Sequence, residues 1–333
     1  MAAVNVAGGL RILAELPDCF LDCRARDLHK ILTGPTLIEL AGTREPPLFV
    51  SVLLHGNEDS GLTAVQAVIA KYRKLPRSLM LFVGNIAAAR EDVRRLDRQP
   101  DYNRIWPGGP ERQGPEARMM AEVHDRALER RAFGAIDLHN NSGRNPHYAV
   151  VCNLDRTTIA LAALFSPRVV LFRGIPGTQT ASFTGLIPAI TAECGRPAEP
   201  ANAAAAARLV DAALNADELS GDIAALDLYH TIGVVRVREE VTFGFGAAEA
   251  ELRFDAALDA HNFRDLAAGT VLAATSHSRP LQVIDEAGRD VAGQFFATGD
   301  GKLRLQREIV PAMLTVDPLM VRQDCLGYLM ERL

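Results

Sequence analysis

The chain has 333 residues, of which 48% are hydrophobic and 23% are charged, which is typical of a globular protein with a large core. The net charge of −5 and the lack of any Lys/Arg-dense block argue against a nucleic-acid-binding protein. No uncharged apolar run approaches the length of a membrane helix, and the N-terminus lacks the pattern of a signal peptide. With five scattered cysteines, we expect a cytoplasmic protein with reduced thiols.

The first two thirds of the chain alternate predicted strands and helices. Residues 10–40 are irregularly patterned, with residues 37–40 a candidate edge strand. The continuous apolar run at 47–54 predicts a strand that is buried on both faces. Further strands are predicted at residues 78–83, 135–139, 148–152, 169–172 and 187–193, and helices at residues 62–72, 115–131 and 202–215.

The pattern changes near residue 225 to short strand-like segments separated by turn residues, with few helical periods. We therefore predict two domains. Residues 1–222 form an α/β domain, and residues 223–333 form a smaller, appended β-rich C-terminal domain. In an open α/β sheet, strand–turn–helix units present polar residues at the carboxyl edge of the strands.

Three polar residues at strand ends suggest a metal site. His55 and Glu58 stand three apart where a strand turns into a helix, so both side chains can reach one ion. His139 ends another predicted strand, and parallel strands would bring it to the same edge. Two histidines and a glutamate form one of the ligand sets of catalytic zinc, with a fourth position open for water. Asp137 lies on the same strand face as His139 and could accept its second ring proton.

The motif of His55 and Glu58 also has a simpler interpretation than a metal site. The segment from His55 to Glu58 could be a helix N-cap beside a buried histidine, because Asn57, Asp59 and Ser60 are all cap-forming residues. Short motifs of this kind also arise by chance. The presence of a second histidine at a strand end favours a functional site.

Glu193 closes an apolar strand, where a carboxylate is costly unless it has a partner or a catalytic task. It is a candidate base for an attacking water and a donor for the leaving nitrogen. The alternative is an ion pair with Arg196 or a helix terminus. The segment from Asp101 to Arg104 could grip a substrate carboxylate through an arginine and its neighbouring asparagine, or it could be a solvated loop.

Four motifs occur in the order seen in the succinylglutamate desuccinylase/aspartoacylase family of the zinc carboxypeptidase superfamily. They are His55-Gly-Asn-Glu58, Asp101-Tyr-Asn-Arg104, Ile136-Asp-Leu-His139-Asn and Ile190-Thr-Ala-Glu193. The chain resembles this family over roughly residues 45–200, and the β-rich C-terminal domain fits the family's layout. The resemblance implies a mixed central sheet flanked by helices, one zinc ion and hydrolysis of N-acyl amino acids.

The resemblance also implies roles for individual residues. By position, His55, Glu58 and His139 would bind Zn²⁺, and Glu193 would be the general acid/base. One carboxylate can take a proton from the nucleophile and pass it to the departing amine.

The substrate contacts follow from the same resemblance. Asn103 and Arg104 would hold a substrate carboxylate. Relatives have an oxyanion-stabilising arginine shortly before this motif, and of the competing Arg94 and Arg95 we assign Arg95 to this role. Arg144 is either a contact to a second substrate carboxylate or a turn residue.

The sequence therefore predicts a zinc-dependent deacylase that cleaves the amide bond of a small N-acyl amino acid. We expect no nucleic-acid or membrane partner, and homo-oligomer formation stays open. The alternatives are a metallocarboxypeptidase, an esterase or amidase that uses the same site, and a non-catalytic protein that binds an anionic metabolite. Because the sequence holds a candidate for every catalytic role, we favour an enzyme.

Overall fold

A computed structural model of the chain describes residues 4–5, 9–110, 113–220 and 225–333. The chain divides into two compact units, of residues 1–140 with 147–227 and of residues 141–146 with 228–333. The domain boundary predicted after residue 222 lies outside the described residues. In the described part of the chain, no helix has the length and apolar character needed to cross a membrane.

Strands and helices alternate in the first unit. Its strands are β1 (Val4–Asn5), β2 (Arg11–Leu13), β3 (Thr36–Leu40), β4 (Leu48–Val52), β5 (Leu79–Val83), β6 (Gly134–His139), β7 (Tyr148–Val151), β8 (Arg168–Leu171) and β9 (Ala189–Glu193). Its helices are α1 (Ser60–Lys71), α2 (Ile86–Glu91), α3 (Pro115–Glu129), α4 (Arg156–Ala163), α5 (Gln179–Ser182) and α6 (Pro200–Asn215). The short helices α2, α4 and α5 lie where the sequence pattern predicted none.

The strands of the first unit follow the order β1-β2-β3-β5-β4-β6-β9-β7-β8 in a mixed sheet. Strands β5, β4, β6 and β9 run parallel to their neighbours in this series, whereas β3 and β7 pair antiparallel with β5 and β9. This arrangement confirms the predicted α/β fold with a mixed central sheet flanked by helices. Because β4, β6 and β9 are parallel neighbours, their carboxyl ends meet at one edge.

The candidate strand at residues 37–40 is real, but the prediction that it forms an edge is wrong. β3 lies between β2 and β5 and pairs with both. Its partner β2 comes from a three-residue segment with no strong strand pattern, which the sequence did not identify. An interior position explains why Leu37 and Ile38 are fully buried.

The central strands are buried along their whole length, as their apolar sequences predict. Every residue of β4, β5, β6 and β9 is buried. Trp106 is also fully buried and packs against Phe49, Phe82 and Phe183 at centroid distances of 6.1–6.3 Å. Its indole N–H donates to the main-chain carbonyl of Tyr102 at 2.9 Å. Trp106 thus anchors the preceding loop to the core.

The second unit is rich in short strands, as predicted. Its elements are β10 (Asp227–Val237), β11 (Phe243–Phe245), β12 (Leu252–Phe254), β13 (Val271–Thr275), β14 (Leu281–Ile284), α7 (Ala292–Phe295), β15 (Phe296–Gly299), β16 (Lys302–Leu305), β17 (Val310–Ala312), α8 (Pro318–Gln323) and β18 (Gly327–Arg332). One sheet has the order β11-β12-β13-β16-β15, and β10 pairs with β14 and β18.

Residues 141–146 belong to the second unit although they connect β6 to β7 of the first. The hydroxyl groups of Ser142 and Thr315 lie 2.8 Å apart, and the side chain of Asn145 accepts from the main-chain N–H of Met313 at 3.0 Å. The second unit therefore holds the segment that begins two residues after His139.

Candidate metal centre

Parallel strands carry the predicted site residues to one edge of the sheet. His139 is the last residue of β6 and Glu193 the last of β9, and the two are partners in the register of these strands. β4 ends at Val52, and His55 follows in the turn that leads into α1. The structure thus brings together the side chains that the sequence assigned to strand ends.

The turn after β4 requires glycine at position 56. A Cβ atom built at Gly56 would lie 2.3 Å from the main-chain carbonyl carbon of Ala88 in α2. No side chain fits at this distance, so the chain can pass against α2 only with glycine. This close approach fixes the path between His55 and Glu58.

His55, Glu58 and His139 form a compact, buried cluster. Nδ1 of His55 lies 2.8 Å from Oε1 of Glu58, and Nδ1 of His139 lies 2.8 Å from Oε2 of Glu58. One potential ligand atom from each residue lies within 4.8 Å of the other two, and all three side chains are buried. Two imidazole nitrogens and a carboxylate match a known ligand set of catalytic zinc.

The outer nitrogen of each histidine contacts a second carboxylate. Nε2 of His55 lies 3.0 Å from Oδ1 of Asp101, and Nε2 of His139 lies 2.6 Å from Oδ2 of Asp137. Asp137 is fully buried, and its other oxygen accepts from the hydroxyl of Ser51 on β4 at 2.7 Å. Carboxylates in such positions keep the ring proton on Nε2 and fix the orientation of the ring. Asp137 makes the contact that its strand face predicts.

This arrangement fits a divalent cation. With the ring protons on Nε2, bare Nδ1 atoms face the Glu58 carboxylate at 2.8 Å, and they repel it unless a proton or a cation lies between. Glu58, Asp101 and Asp137 carry three formal negative charges, whereas Arg94 beside them carries one positive charge. The excess of negative charge among these four residues favours a bound divalent cation.

The same charges shift the pKa values within the cluster. Burial favours a higher pKa for Glu58, but the contacts with His55 and His139 outweigh it and hold the pKa well below its usual range. Burial favours a lower pKa for His139, but Asp137 and Glu58 raise the pKa well above its ordinary value. Burial and the charge of Arg94 favour a lower pKa for His55, but Glu58 and Asp101 outweigh them and raise the pKa. Surroundings that favour positive charge on both rings also favour a bound cation.

Arg94, not Arg95, joins this cluster. The guanidinium of Arg94 lies 3.0 Å from Oδ2 of Asp101 and 3.9 Å from Oε1 of Glu58. The guanidinium of Arg95 instead donates to the main-chain carbonyl of Gln99 at 2.9 Å. Neighbouring side chains on an irregular loop point in different directions, so the position of Arg95 does not support the role that the sequence interpretation gave it.

Asn103 adjoins the cluster, and Arg104 lies beside it. Oδ1 of Asn103 accepts from the main-chain N–H of Gln179 at 2.9 Å, and its Nδ2 lies 3.1 Å from Nε2 of His139. Arg104 donates to the main-chain carbonyl of Asn103 at 2.8 Å. Burial favours a higher pKa for Asp101, but His55, Arg94 and Arg104 together hold the pKa well below its usual range.

Glu193 is buried at the strand end next to His139. Burial raises the pKa of the adjacent Cys194 thiol well above its usual value, and the charges of Glu193 and Glu58 add to this effect. Glu193 is the register partner of His139, so it lies at the same edge of the sheet as the cluster. This position suits a group that exchanges protons with a molecule bound at the cluster.

Arg144 belongs to the second unit. Its main-chain N–H donates to Oδ2 of the fully buried Asp259 at 3.2 Å, and its Nε lies 3.5 Å from Oδ1 of the same residue. The side chain of Arg144 is 59% exposed. Its contact with a substrate carboxylate stays a prediction.

The sequence interpretation missed several residues that support the cluster. It gave no role to Asp101, Ser51, Gln179 or Asn140. Asp101 and Asn140 stand in motifs that the sequence did single out, so a polar residue beside a candidate ligand was an available signal. Ser51 and Gln179 carried no such signal, because only strand register and the path of a loop bring them to the site.

A family model for the succinylglutamate desuccinylase/aspartoacylase catalytic domain matches residues 45–217, just over half of the chain. This range contains His55, Glu58, Asn103, His139 and Glu193. A comparison with curated proteins finds no match.

Solved structures share the fold over most of the chain. A succinylglutamate desuccinylase/aspartoacylase from Rhodobacter sphaeroides has 16% identity and a TM-score of 0.58, with 89% of this chain and 88% of the other covered. The succinylglutamate desuccinylase from Chromobacterium violaceum has 20% identity and a TM-score of 0.55, with the same coverage. Murine aminoacylase 3 has 16% identity and a TM-score of 0.53, with 87% and 97% covered. At these identities, the likeness concerns the fold alone.

Proposed function

Because the chain belongs to the succinylglutamate desuccinylase/aspartoacylase family, we propose that it is a zinc-dependent hydrolase of small N-acyl amino acids. The observation that carries this proposal is the buried His55–Glu58–His139 cluster, with Glu193 at the neighbouring strand end. The cluster supplies a ligand set for zinc, and Glu193 supplies a carboxylate for proton transfer. These are two parts that metal-assisted hydrolysis of an amide uses.

His55, Glu58 and His139 would hold the zinc ion through the two Nδ1 atoms and the carboxylate. When bound, zinc supplies a Lewis acid that polarises a carbonyl group and lowers the pKa of water towards neutrality. Asp101 and Asp137 keep the histidine rings turned so that their Nδ1 atoms face the shared centre.

Glu193 would act as the general acid/base. It takes the proton of the attacking water as the nucleophile adds to the amide carbonyl, and then passes this proton to the departing amine. Its neighbour in the sheet register, His139, keeps it at the same edge as the cluster. Arg94, rather than Arg95, would stabilise the negative charge that develops on the carbonyl oxygen, because its guanidinium already adjoins Glu58.

Asn103 and Arg104 would bind the carboxylate of the amino acid. Trp106 anchors their loop in the core, and Gln179 fixes the orientation of the Asn103 amide. A guanidinium and an amide held in this way position a carboxylate with little loss of entropy on binding.

A substrate screen with the zinc-loaded protein tests the proposal. The panel contains N-acyl amino acids that differ in acyl length and charge, together with dipeptides and the corresponding esters. We expect amine release from N-acyl amino acids that a chelator abolishes and added zinc restores. Turnover of dipeptides alone would instead identify a metallocarboxypeptidase, turnover of esters alone an esterase, and metal-independent binding without any turnover a non-catalytic binder.

A further inference from the structure

Asn140 links the parts of the proposed site through three hydrogen bonds of its side-chain amide. It follows His139 directly and is buried. Its Nδ2 donates to the main-chain carbonyl of Gly195 at 2.8 Å and to the hydroxyl of Ser60 at 3.0 Å, and its Oδ1 accepts from the main-chain N–H of Ser60 at 3.2 Å. The amide thereby joins the ends of β6 and β9 to the first residue of α1.

The polarity of the surrounding main chain allows only one orientation of this amide. The N–H of Ser60 requires an acceptor, and the carbonyl of Gly195 requires a donor. A flipped amide would place two donors against each other at Ser60 and two acceptors against each other at Gly195. The side chain of Asn140 is therefore locked by its bonds as well as by its burial.

The main chain of Asn140 reaches the cluster directly. Its N–H donates to Oε2 of Glu58 at 3.0 Å, the same oxygen that lies 2.8 Å from Nδ1 of His139. The side-chain bonds of Asn140 fix the peptide plane that makes this contact. They also fix Gly195, which lies two residues after Glu193.

Asn140 is the last residue of this segment in the first unit, because Asn141 already belongs to the second. The main-chain carbonyl of His139 accepts from the N–H of Cys194 at 2.9 Å, so the β6–β9 ladder also reaches this point. Residues 141–146, which follow, belong to the second unit. Asn140 therefore anchors the end of β6 where the chain leaves the sheet.

We propose that Asn140 is a positioning residue that sets the orientation of the Glu58 carboxylate and the spacing between the zinc-holding residues and Glu193. This inference rests on the proposed function. It predicts that removal of the amide weakens zinc binding and slows the chemical step, while the substrate-binding contacts of Asn103 and Arg104 persist.

The test compares the full-length variants Asn140→Ala and Asn262→Ala with the wild type. Asn262 is also buried, and its amide also bonds one main-chain N–H and one carbonyl, both of Leu314, at 2.8 and 2.9 Å. It is therefore matched for the structural effect of deleting a buried amide. The measurements are thermal unfolding, the zinc dissociation constant by competition with a chromogenic chelator, and kcat and KM at saturating zinc.

We expect both variants to lose thermal stability. Only Asn140→Ala should bind zinc about 10- to 100-fold more weakly, the range typical of a disturbed contact to a metal ligand, because the main-chain N–H that bonds Glu58 loses the side-chain bonds that fix its peptide plane. Its kcat at saturating zinc should fall roughly 10- to 100-fold because Glu193 is displaced, with little change in KM. Zinc affinity and kcat within twofold of the wild type in Asn140→Ala would overturn the inference.

The milder variant Ser60→Ala covers the case in which Asn140→Ala does not fold. It removes one acceptor of the amide but keeps both main-chain bonds of Asn140. We expect zinc binding weakened by severalfold, and an unchanged dissociation constant would then refute the inference. Zinc binding is measured without substrate, so a wild type that hydrolyses nothing would refute the proposed function and leave this test valid.

Discussion

The two units of the chain use buried strands differently. β4 and β9 in the first unit are buried at every residue, whereas β10 in the second unit alternates between buried and more exposed positions along most of its length. Strands covered on both faces have room for polar side chains mainly at their ends, and parallel neighbours bring these ends together. Half-buried strands distribute their polar residues along a solvent face. The candidate site therefore forms where burial is most complete.

Buried polar residues also differ in their tasks. In the first unit, Asp137 and Asn140 bond to groups of the candidate site. In the second unit, Asn262 bonds only to main-chain groups of Leu314 among the hydrogen bonds described for its side chain. We infer that Asp137 and Asn140 use buried polarity for chemistry and that Asn262 uses it for structure. The following variants test this contrast.

His139→Ala should have the largest effect, because it removes one of three zinc-holding groups. We expect loss of bound zinc and a fall in kcat/KM of about 1,000-fold, equivalent to about 4 kcal/mol. Zinc content is measured by elemental analysis. His147→Ala is the control, since His147 contacts Asn202 outside the cluster. An unchanged zinc content in His139→Ala would contradict the assignment.

Glu193→Gln should keep the zinc but lose turnover, because an amide cannot exchange the proton. A loss of kcat of about 100- to 10,000-fold is expected for a general acid/base. Elemental analysis and steady-state kinetics on the same preparation separate the two effects. Glu129→Gln, at an exposed position on α3, serves as control. Full activity of Glu193→Gln would rule out the proposed role.

Leu303→Ala probes the second unit. Leu303 is almost completely buried in β16, so its truncation should lower the free energy of unfolding by about 2–5 kcal/mol. Zinc affinity should stay unchanged if the second unit has a structural task. Urea unfolding and chelator competition measure the two quantities, with the exposed Val271→Ala on β13 as control. A strong loss of zinc affinity in Leu303→Ala would contradict a purely structural task for the second unit.

Arg94→Ala and Arg95→Ala discriminate between two adjacent arginines. Loss of one group that stabilises an oxyanion typically costs about 100-fold in kcat. We expect this loss for Arg94→Ala, because Arg94 adjoins Glu58, and a change below about threefold for Arg95→Ala, whose guanidinium bonds a main-chain carbonyl. Steady-state kinetics of both variants at saturating zinc show which arginine has this role. The opposite result would restore the original interpretation of Arg95.

Asp211→Asn should have the smallest effect. Burial favours a higher pKa for Asp211, but hydrogen bonds from Lys71 and Tyr72 lower the pKa. A carboxyl with a lowered pKa stabilises the fold above its unfolded pKa of about 4, and this contribution is lost as the pH falls through the folded value.

The variant should therefore be about 1 kcal/mol less stable than the wild type at pH 7. The difference should shrink as the pH is lowered below the unfolded pKa. Urea unfolding across this pH range measures it, with the exposed Asp97→Asn as control. A difference that does not depend on pH would show that the charge of Asp211 has no part in it.

Much of the fold follows from local sequence. Continuous apolar runs identified β4, β5, β6 and β9, because strands buried on both faces consist mainly of apolar residues. Helical periodicity identified α1 and α3, because burial of one helix face requires apolar residues at a regular spacing. The pattern could not place β3 in the interior of the sheet, since its neighbour β2 has only three residues. Helices as short as α5 carry too few turns for a detectable period.

The sequence by itself determined the family, the α/β architecture and the set of residues at strand ends, because motif order and hydrophobic period are local properties of the chain. Only the tertiary structure decided which side chains meet. Strand register joined Ser51 to Asp137, and the close packing of a turn against α2 required Gly56. The course of an irregular loop brought Arg94 to the cluster and Arg95 to the main-chain carbonyl of Gln99. Most of these choices depend on contacts between residues far apart in the chain, which no local pattern records.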